Sequence, residues 1–125
     1  MAVGQRNISI KATKTVTVLS GATGLSAGVD LAGFEVEAIY MPATWVAAAL
    51  TFQGSNVSGG TYQDLYDSGG TELNLTVAQA RSIGLTAAHK EVLKAWRFLK
   101  FRSGTTALAV NQTADRNLIL VFKSK

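Results

Sequence analysis

Residues 117–123 read NLILVFK. Leu118, Leu120 and Phe122 fall two apart, which is the repeat of an extended strand with one buried face. A helix would need apolar residues three or four apart. The same period runs back through the chain. In WRFLKFRS (96–103), Arg97, Leu99 and Phe101 oppose Trp96, Phe98 and Lys100. Leu99 and Phe101 are expected in the core, with a basic row in solvent. ELNLTV (72–77) puts Leu73, Leu75 and Val77 on one face. VDLAGFEVEAIYMP (29–42) sets Phe34, Val36, Ala38 and Tyr40 against Glu35 and Glu37, and Pro42 ends the run. ISIKATKTVTVLS (8–20) offers Ile8, Ile10, Val16 and Val18. In WVAAALTFQ (45–53) only Leu50 and Phe52 alternate, so a strand is expected in its second half.

TYQDLYD (61–67) and RSIGL (81–85) supply two further short strands. The period breaks once. Thr86 can cap a helix, and AAHKEVLK consists of helix formers, so a short helical turn is expected near residues 87–93. The small-residue stretch GATGLSAG (21–28) and residues 104–115 read as loops. About eight short strands between turn signals predict an all-β antiparallel sandwich. Spacing alone leaves a jelly roll and an immunoglobulin-like sandwich both open. One domain is expected over 15–125, preceded by a basic N-terminal arm over 1–14 that carries Arg6, Lys11 and Lys14.

The stretch LTFQGSNVSGGTYQDLYDSGG (50–70) contains no Lys or Arg. It reads as a hairpin of 50–53 with 61–66, turned by Gly59 and Gly60 at positive φ. Alternation would send Leu50 and Phe52 inward to meet Tyr62 and Leu65, and leave Tyr66 outside.

Of the 125 residues, 47% are apolar and only 16% charged, against about 25% charged in an average soluble domain. Part of the surface is therefore expected to be covered by a partner. There is no Cys, which excludes disulfides and thiolate metal sites. No apolar run is long enough for a transmembrane helix, and the N-terminus has no signal-peptide core, so no membrane partner is expected. The net charge of +4 is unevenly spread. Residues 15–80 hold six acids and no Lys or Arg, and residues 81–125 hold nine bases and two acids. Three explanations compete. The basic end binds nucleic acid, the two signs form complementary docking patches, or strands of the two halves interleave and the charges meet within the fold.

Few residues suggest chemistry. His89 is the only imidazole, and no G-x-S-x-G surrounds any Ser. The acids lack the spacing of a calcium loop. Glu35 and Glu37, two apart on a strand, read as a solvated face. No Lys-Ser/Thr follows the glycines of 21–28, so no phosphate loop is expected. Trp96, Arg97, Phe98, Lys100, Phe101 and Arg102 mix aromatics with bases as nucleic-acid binders do, but alternation assigns them to core and solvent rows, and nucleic acid is not the expected partner. No enzyme, cofactor or metal is expected.

Three stretches taken in order carry a resemblance: LAGFEVEAIYMPATWVAAALTFQGS (31–55), GGTYQDLYDSGGTEL (59–73) and AWRFLKFRSGTTALAVNQTADRNLILVFK (95–123). Together they resemble small structural proteins of tailed-bacteriophage virions, of the capsid cement or decoration type. The hairpin and the later aromatic-basic strand also look like the galactose-binding or discoidin type of jelly roll. There the hairpin reads S-x-D-G-x-T-W; here the Asp is missing and Tyr62 replaces the Trp, so no sugar-ligand residues carry over.

Both resemblances imply an eight-stranded antiparallel jelly-roll β-sandwich. The first implies a protein that binds and stabilises the major capsid protein lattice, or other virion proteins, through protein–protein contacts. It would sit on the capsid surface after assembly in the host cytoplasm, as a homo-oligomer with a trimer favoured. A tail, baseplate or head-fibre position is the alternative. So is a carbohydrate-binding module for host attachment, with Trp45, Tyr62, Tyr66 and Trp96 as stacking candidates. The candidate interface residues are Arg6, Lys11, Lys14, Glu35, Glu37, Asn56, Tyr66, Arg97 and Arg102.

Overall fold

The computed structural model describes residues 11–124. Among them are nine strands and one helix: β1 (Lys11–Val18), β2 (Val29–Asp30), β3 (Phe34–Tyr40), β4 (Leu50–Ser55), β5 (Gln63–Asp64), β6 (Asn74–Leu75), β7 (Ser82–Gly84), α1 (Ala87–Leu93), β8 (Phe98–Ser103) and β9 (Arg116–Ser124). Every strand pairing is antiparallel. One sheet has the order β1-β9-β3-β7, and the other β2-β8-β4-β5 with β6 also on β4.

The ninth strand comes from a division. β5 pairs with residues 53–54 of β4 and β6 with residues 50–51, so the two lie in line along one edge. Residues 65–73 bulge out between them, closed by a bridge from Tyr66 to Glu72. Counted as one, β5 and β6 make eight strands. The first then pairs with the eighth, the second with the seventh, the third with the sixth and the fourth with the fifth. That is a hairpin of four strand pairs rolled into two layers, the jelly-roll connectivity.

The two sheets face each other across one core. Val16, Val18, Val36, Ile39, Leu118, Leu120 and Phe122 come from the first; Val29, Leu50, Phe52, Leu75, Leu99 and Phe101 come from the second. Phe52 and Phe101 are fully buried and meet edge to face at 5.4 Å, a geometry the ring quadrupoles favour. The alternation read in β4, β8 and β9 therefore holds, and Leu65 joins the core while Tyr66 stays outside, as expected. Gly59 turns the 56–60 loop at φ 69°, but Gly60 does not take positive φ, so one glycine suffices. Thr86 caps α1, its hydroxyl accepting from the His89 backbone N–H.

Two expectations need correction. The arm over 1–14 is in part sheet, because residues 11–14 pair with residues 120–123 of β9; Arg6, Ile8 and Ile10 lie outside the described residues. In β3 the pairing steps from Val36↔Phe122 to Ala38↔Val121, skipping Glu37. This bulge reverses the alternation after Val36. Ile39 is fully buried where the simple pattern put Tyr40, and Tyr40 is 46% exposed. No helix of the described residues is long and apolar enough to cross a membrane.

Candidate interaction surfaces

The outer side of the first sheet is built from cross-strand rows. Thr15, Ile119, Tyr40 and Ser82 lie opposite one another across β1, β9, β3 and β7, and Thr13, Val121, Ala38 and Gly84 form the row beside them. Thr17 and Asn117 begin a third, joined by a 2.7 Å hydrogen bond from the Thr17 hydroxyl. None of these ten side chains is charged. Tyr40 and Ile119 are well exposed. At one end the rows stop at an ion cluster: Lys123 lies 3.5 Å from Glu35 and 3.9 Å from Glu37, and Lys90 of α1 donates to Glu37 at 2.9 Å. The bulge frees the Glu37 side chain to reach the helix.

The outer side of the second sheet is different. Thr51 and Arg102 point away from the core by alternation, yet both are buried. Loops 65–73 and 104–110 close over them. The Arg102 guanidinium donates to Thr51 Oγ1 at 2.9 Å, Asp64 Oδ1 at 2.7 Å, Glu72 Oε2 at 2.9 Å and Thr106 Oγ1 at 2.8 Å. Gln53 donates to the same Asp64 oxygen at 3.1 Å. Burial would raise the Asp64 carboxyl, but the Arg102 and Gln53 hydrogen bonds outweigh it and hold it below its ordinary value. Nearby, Lys100 sits 4.6 Å over the Tyr62 ring, and burial pushes the Tyr62 hydroxyl upward.

A third group lies at the corner where β2 meets β8. Arg97 grips Asp30 with two hydrogen bonds, Nε to Oδ1 at 3.0 Å and Nη2 to Oδ2 at 3.1 Å. The Arg97 hydrogen bond holds the Asp30 carboxyl below its usual range. Asn56 bridges the corner, accepting from the Arg97 N–H at 2.8 Å and donating to the Ala95 carbonyl at 3.2 Å. Asn56, Ala95 and Arg97 border an open cleft of about 370 Å³, with Trp96 in its wall.

His89 borders a second open cleft of about 260 Å³, beside Asp67 and Glu72. Its Nε2 lies 2.7 Å from the Asn74 carbonyl, which can only accept, so Nε2 donates there, and Nδ1 lies 2.6 Å from the Thr86 hydroxyl. Asp67 Oδ1 is held by the Gly69 and Thr71 N–H groups, and Glu72 by Arg102 and Thr106. The imidazole and both carboxylates are thus engaged in holding loops. Among the described residues no cluster of three His, Asp or Glu side chains is placed to ligate a metal.

The candidate interface residues are scattered. Glu35 and Glu37 sit together at the end of the first sheet, and Asn56 and Arg97 at the opposite layer's corner. Tyr66 is exposed on the 65–73 bulge, and Lys14 is exposed on β1. Lys11 lies in the backbone of β1, and Arg6 lies outside the described residues. Arg102 must be withdrawn as a surface contact, because it is 6% exposed and fully partnered within the chain. The two signs of charge also meet internally, Glu35 and Glu37 with Lys123 and Lys90, Asp30 with Arg97, Asp64 and Glu72 with Arg102. Tyr40, Ile119 and Gly84 were missed, since nothing in the alternation marks the bulge that brings Tyr40 out.

No family model matches the chain, and no curated protein does. Among solved structures it is similar to the SPBc2 prophage-derived protein YomS, at 11% identity and a TM-score of 0.52, over 96% of this chain and 100% of that one. At that identity the likeness is one of fold, and it extends over the whole sandwich. Of the four stacking candidates, Trp45 is 5% exposed, with its indole N–H on the Ala48 carbonyl. Trp96 packs against the core and Tyr62 is capped by Lys100, which leaves Tyr66 as the one of the four widely open to solvent.

Proposed function

We infer that this chain is a bacteriophage virion structural protein that acts by adhesion, most specifically a capsid cement or decoration subunit. It would bind the major capsid protein lattice as a homo-oligomer, on the capsid surface, after assembly in the host cytoplasm. The observation that carries the reading is the uncharged outer face of the first sheet. Most of the charged side chains that could select a small ligand are engaged in holding strands and loops together. The full-length likeness in fold to a prophage-derived protein supports the phage setting, as do the three stretches that resemble virion proteins.

Adhesion through a neutral face is set by burial, so occupancy on particles should persist at about 1 M salt, where the screening length is about 3 Å. Mass spectrometry of purified particles tests the reading directly. The chain should copurify with heads and remain after a high-salt wash. Its absence from particles would sink the proposal, and its recovery with isolated tails would move it to a tail, baseplate or fibre position.

A further inference from the structure

We propose that the cleft walled by Trp96, between the β2–β3 turn, the loop after β4 and the link from α1 to β8, is a binding site for a neutral saccharide. The proposal goes beyond the virion reading and holds or fails without it.

Ala32 and Gly33 of the first segment, Asn56 of the second and Ala95, Trp96 and Arg97 of the third border about 370 Å³, a volume in the usual range for a small ligand. Trp96 is half-buried. Gly54 lies so close to its Cγ and Cδ2 that a Cβ there would overlap them. That contact fixes the ring, and the rest of the indole is free to wall the cleft. Its N–H has no partner among the described residues and is open to solvent, whereas the Trp45 N–H donates to the Ala48 carbonyl. Arg97 meets Asp30 through Nε and Nη2. The other edge of its fork, Nη1 with the second Nη2 proton, takes no partner among the described residues, and the side chain is 57% exposed. Asn56 is clamped by the Arg97 N–H and the Ala95 carbonyl, which leaves it one Nδ2 proton and one Oδ1 lone pair.

These groups select the ligand. An aromatic wall beside fixed hydrogen-bonding groups suits a body that is apolar on its face and hydroxylated around its rim, which describes a pyranose ring. The C–H face of the sugar lies on the indole. Two neighbouring hydroxyls offer two oxygens to the free two-donor edge of Arg97. Asn56 can donate and accept, as a hydroxyl also does. Charge selects a neutral sugar over an acidic one. Asp30 already neutralises Arg97, and among the described residues no other charged side chain lines the cleft. A carboxylate or phosphate on the free edge would face the Asp30 carboxylate across one guanidinium, whereas a hydroxyl pair meets no such repulsion. Both polar side chains are locked within the chain before any ligand arrives, so binding costs them little rotamer freedom.

The test is an NMR titration of the full chain with methyl glycosides of glucose, galactose, mannose and N-acetylglucosamine, and with their disaccharides, at millimolar concentrations. Two tryptophans give two indole N–H signals. The Trp96 signal should move with at least one of these sugars, and the Trp45 signal should stay. Ala95→Leu fills the cleft from an exposed position and should abolish the shift while keeping the wild-type circular dichroism. Arg97→Lys keeps the charge without the fork and should weaken binding about tenfold. Tyr66→Ala, on the 65–73 bulge, should bind as the wild type does. No shift with any neutral sugar overturns the proposal. So does binding that Ala95→Leu and Arg97→Lys both leave unchanged, which would put the sugar elsewhere. A response to glucuronate or adenosine monophosphate with none to the neutral sugars overturns it too, by assigning the cleft to an anion.

Discussion

Arg102 and Asp64 form a 2.7 Å ion pair on the outer side of a sheet, yet the arginine side chain is 7% exposed. The pair is buried because two loops close over it, and Arg102 is the post to which both loops are tied. Replacing it leaves the Asp64 and Glu72 carboxylates facing each other with no cation between them. Arg102→Met should therefore cost about 3–5 kcal/mol in urea unfolding. A loss under about 1 kcal/mol would show that the loops hold themselves.

The same pair sets an acid limit. Asp64 titrates below its ordinary 3.8 in the folded chain, so the folded state binds this proton less readily than the unfolded state. Its contribution is fully present above the unfolded value and is lost as the pH falls through the folded one. Melting temperature should drop as pH is lowered from about 5 towards 2. In Asp64→Asn that slope should be shallower, since the group no longer titrates; an identical slope would assign acid sensitivity elsewhere.

The bulge at Glu37 makes a prediction opposite to that of simple alternation. Ile39→Ala should cost about 2–5 kcal/mol, as for any truncated core side chain. Tyr40→Ser, measured on dilute protein, should stay within about 0.5 kcal/mol. Chemical denaturation of the two variants side by side separates the registers, and the reverse order would place Tyr40 inside.

Gly28 touches the hydroxyl of Tyr62 so closely that a Cβ there would overlap it. Gly28→Ala should destabilise by about 1–3 kcal/mol through overpacking. Removing the hydroxyl in the same chain, Gly28→Ala with Tyr62→Phe, should recover part of that loss. Thermal melts of the single and double variants check it, and additive losses would mean the two residues do not meet.

The parts of the fold legible in the sequence were those that one strand can report about itself. Leu118, Leu120 and Phe122 in β9, Leu99 and Phe101 in β8, and Leu50 and Phe52 in β4 alternate cleanly, and all are buried. Thr86 as a cap needed only its immediate neighbours. What stayed hidden depends on residues far along the chain. Arg102 has the parity of a solvent-facing base, and only Glu72 and Thr106, brought in by loops, bury it. Gln112 lies in a stretch that reads as plain loop, yet it is fully buried, bonded to Val46 and Ser103. The bulge in β3 is a matter of register against β9, so the sheet face it creates could not be read from β3 alone. Asn56 is exposed, and only the structure shows that its side chain also spans from one loop to another.

The position of β9 has a consequence for how the chain is made. The last strand in sequence lies between β1 and β3, so the first sheet cannot close until residues 116–124 have left the ribosome. Until then β1 and β3 present open edges to other nascent chains, a hazard for products of early termination. Pairings between strands as far apart along the chain as β1 and β9 also slow the search, towards milliseconds to seconds for sandwiches of this kind. Maturation should thus be limited by the arrival of β9, and truncations before residue 116 should accumulate as aggregates.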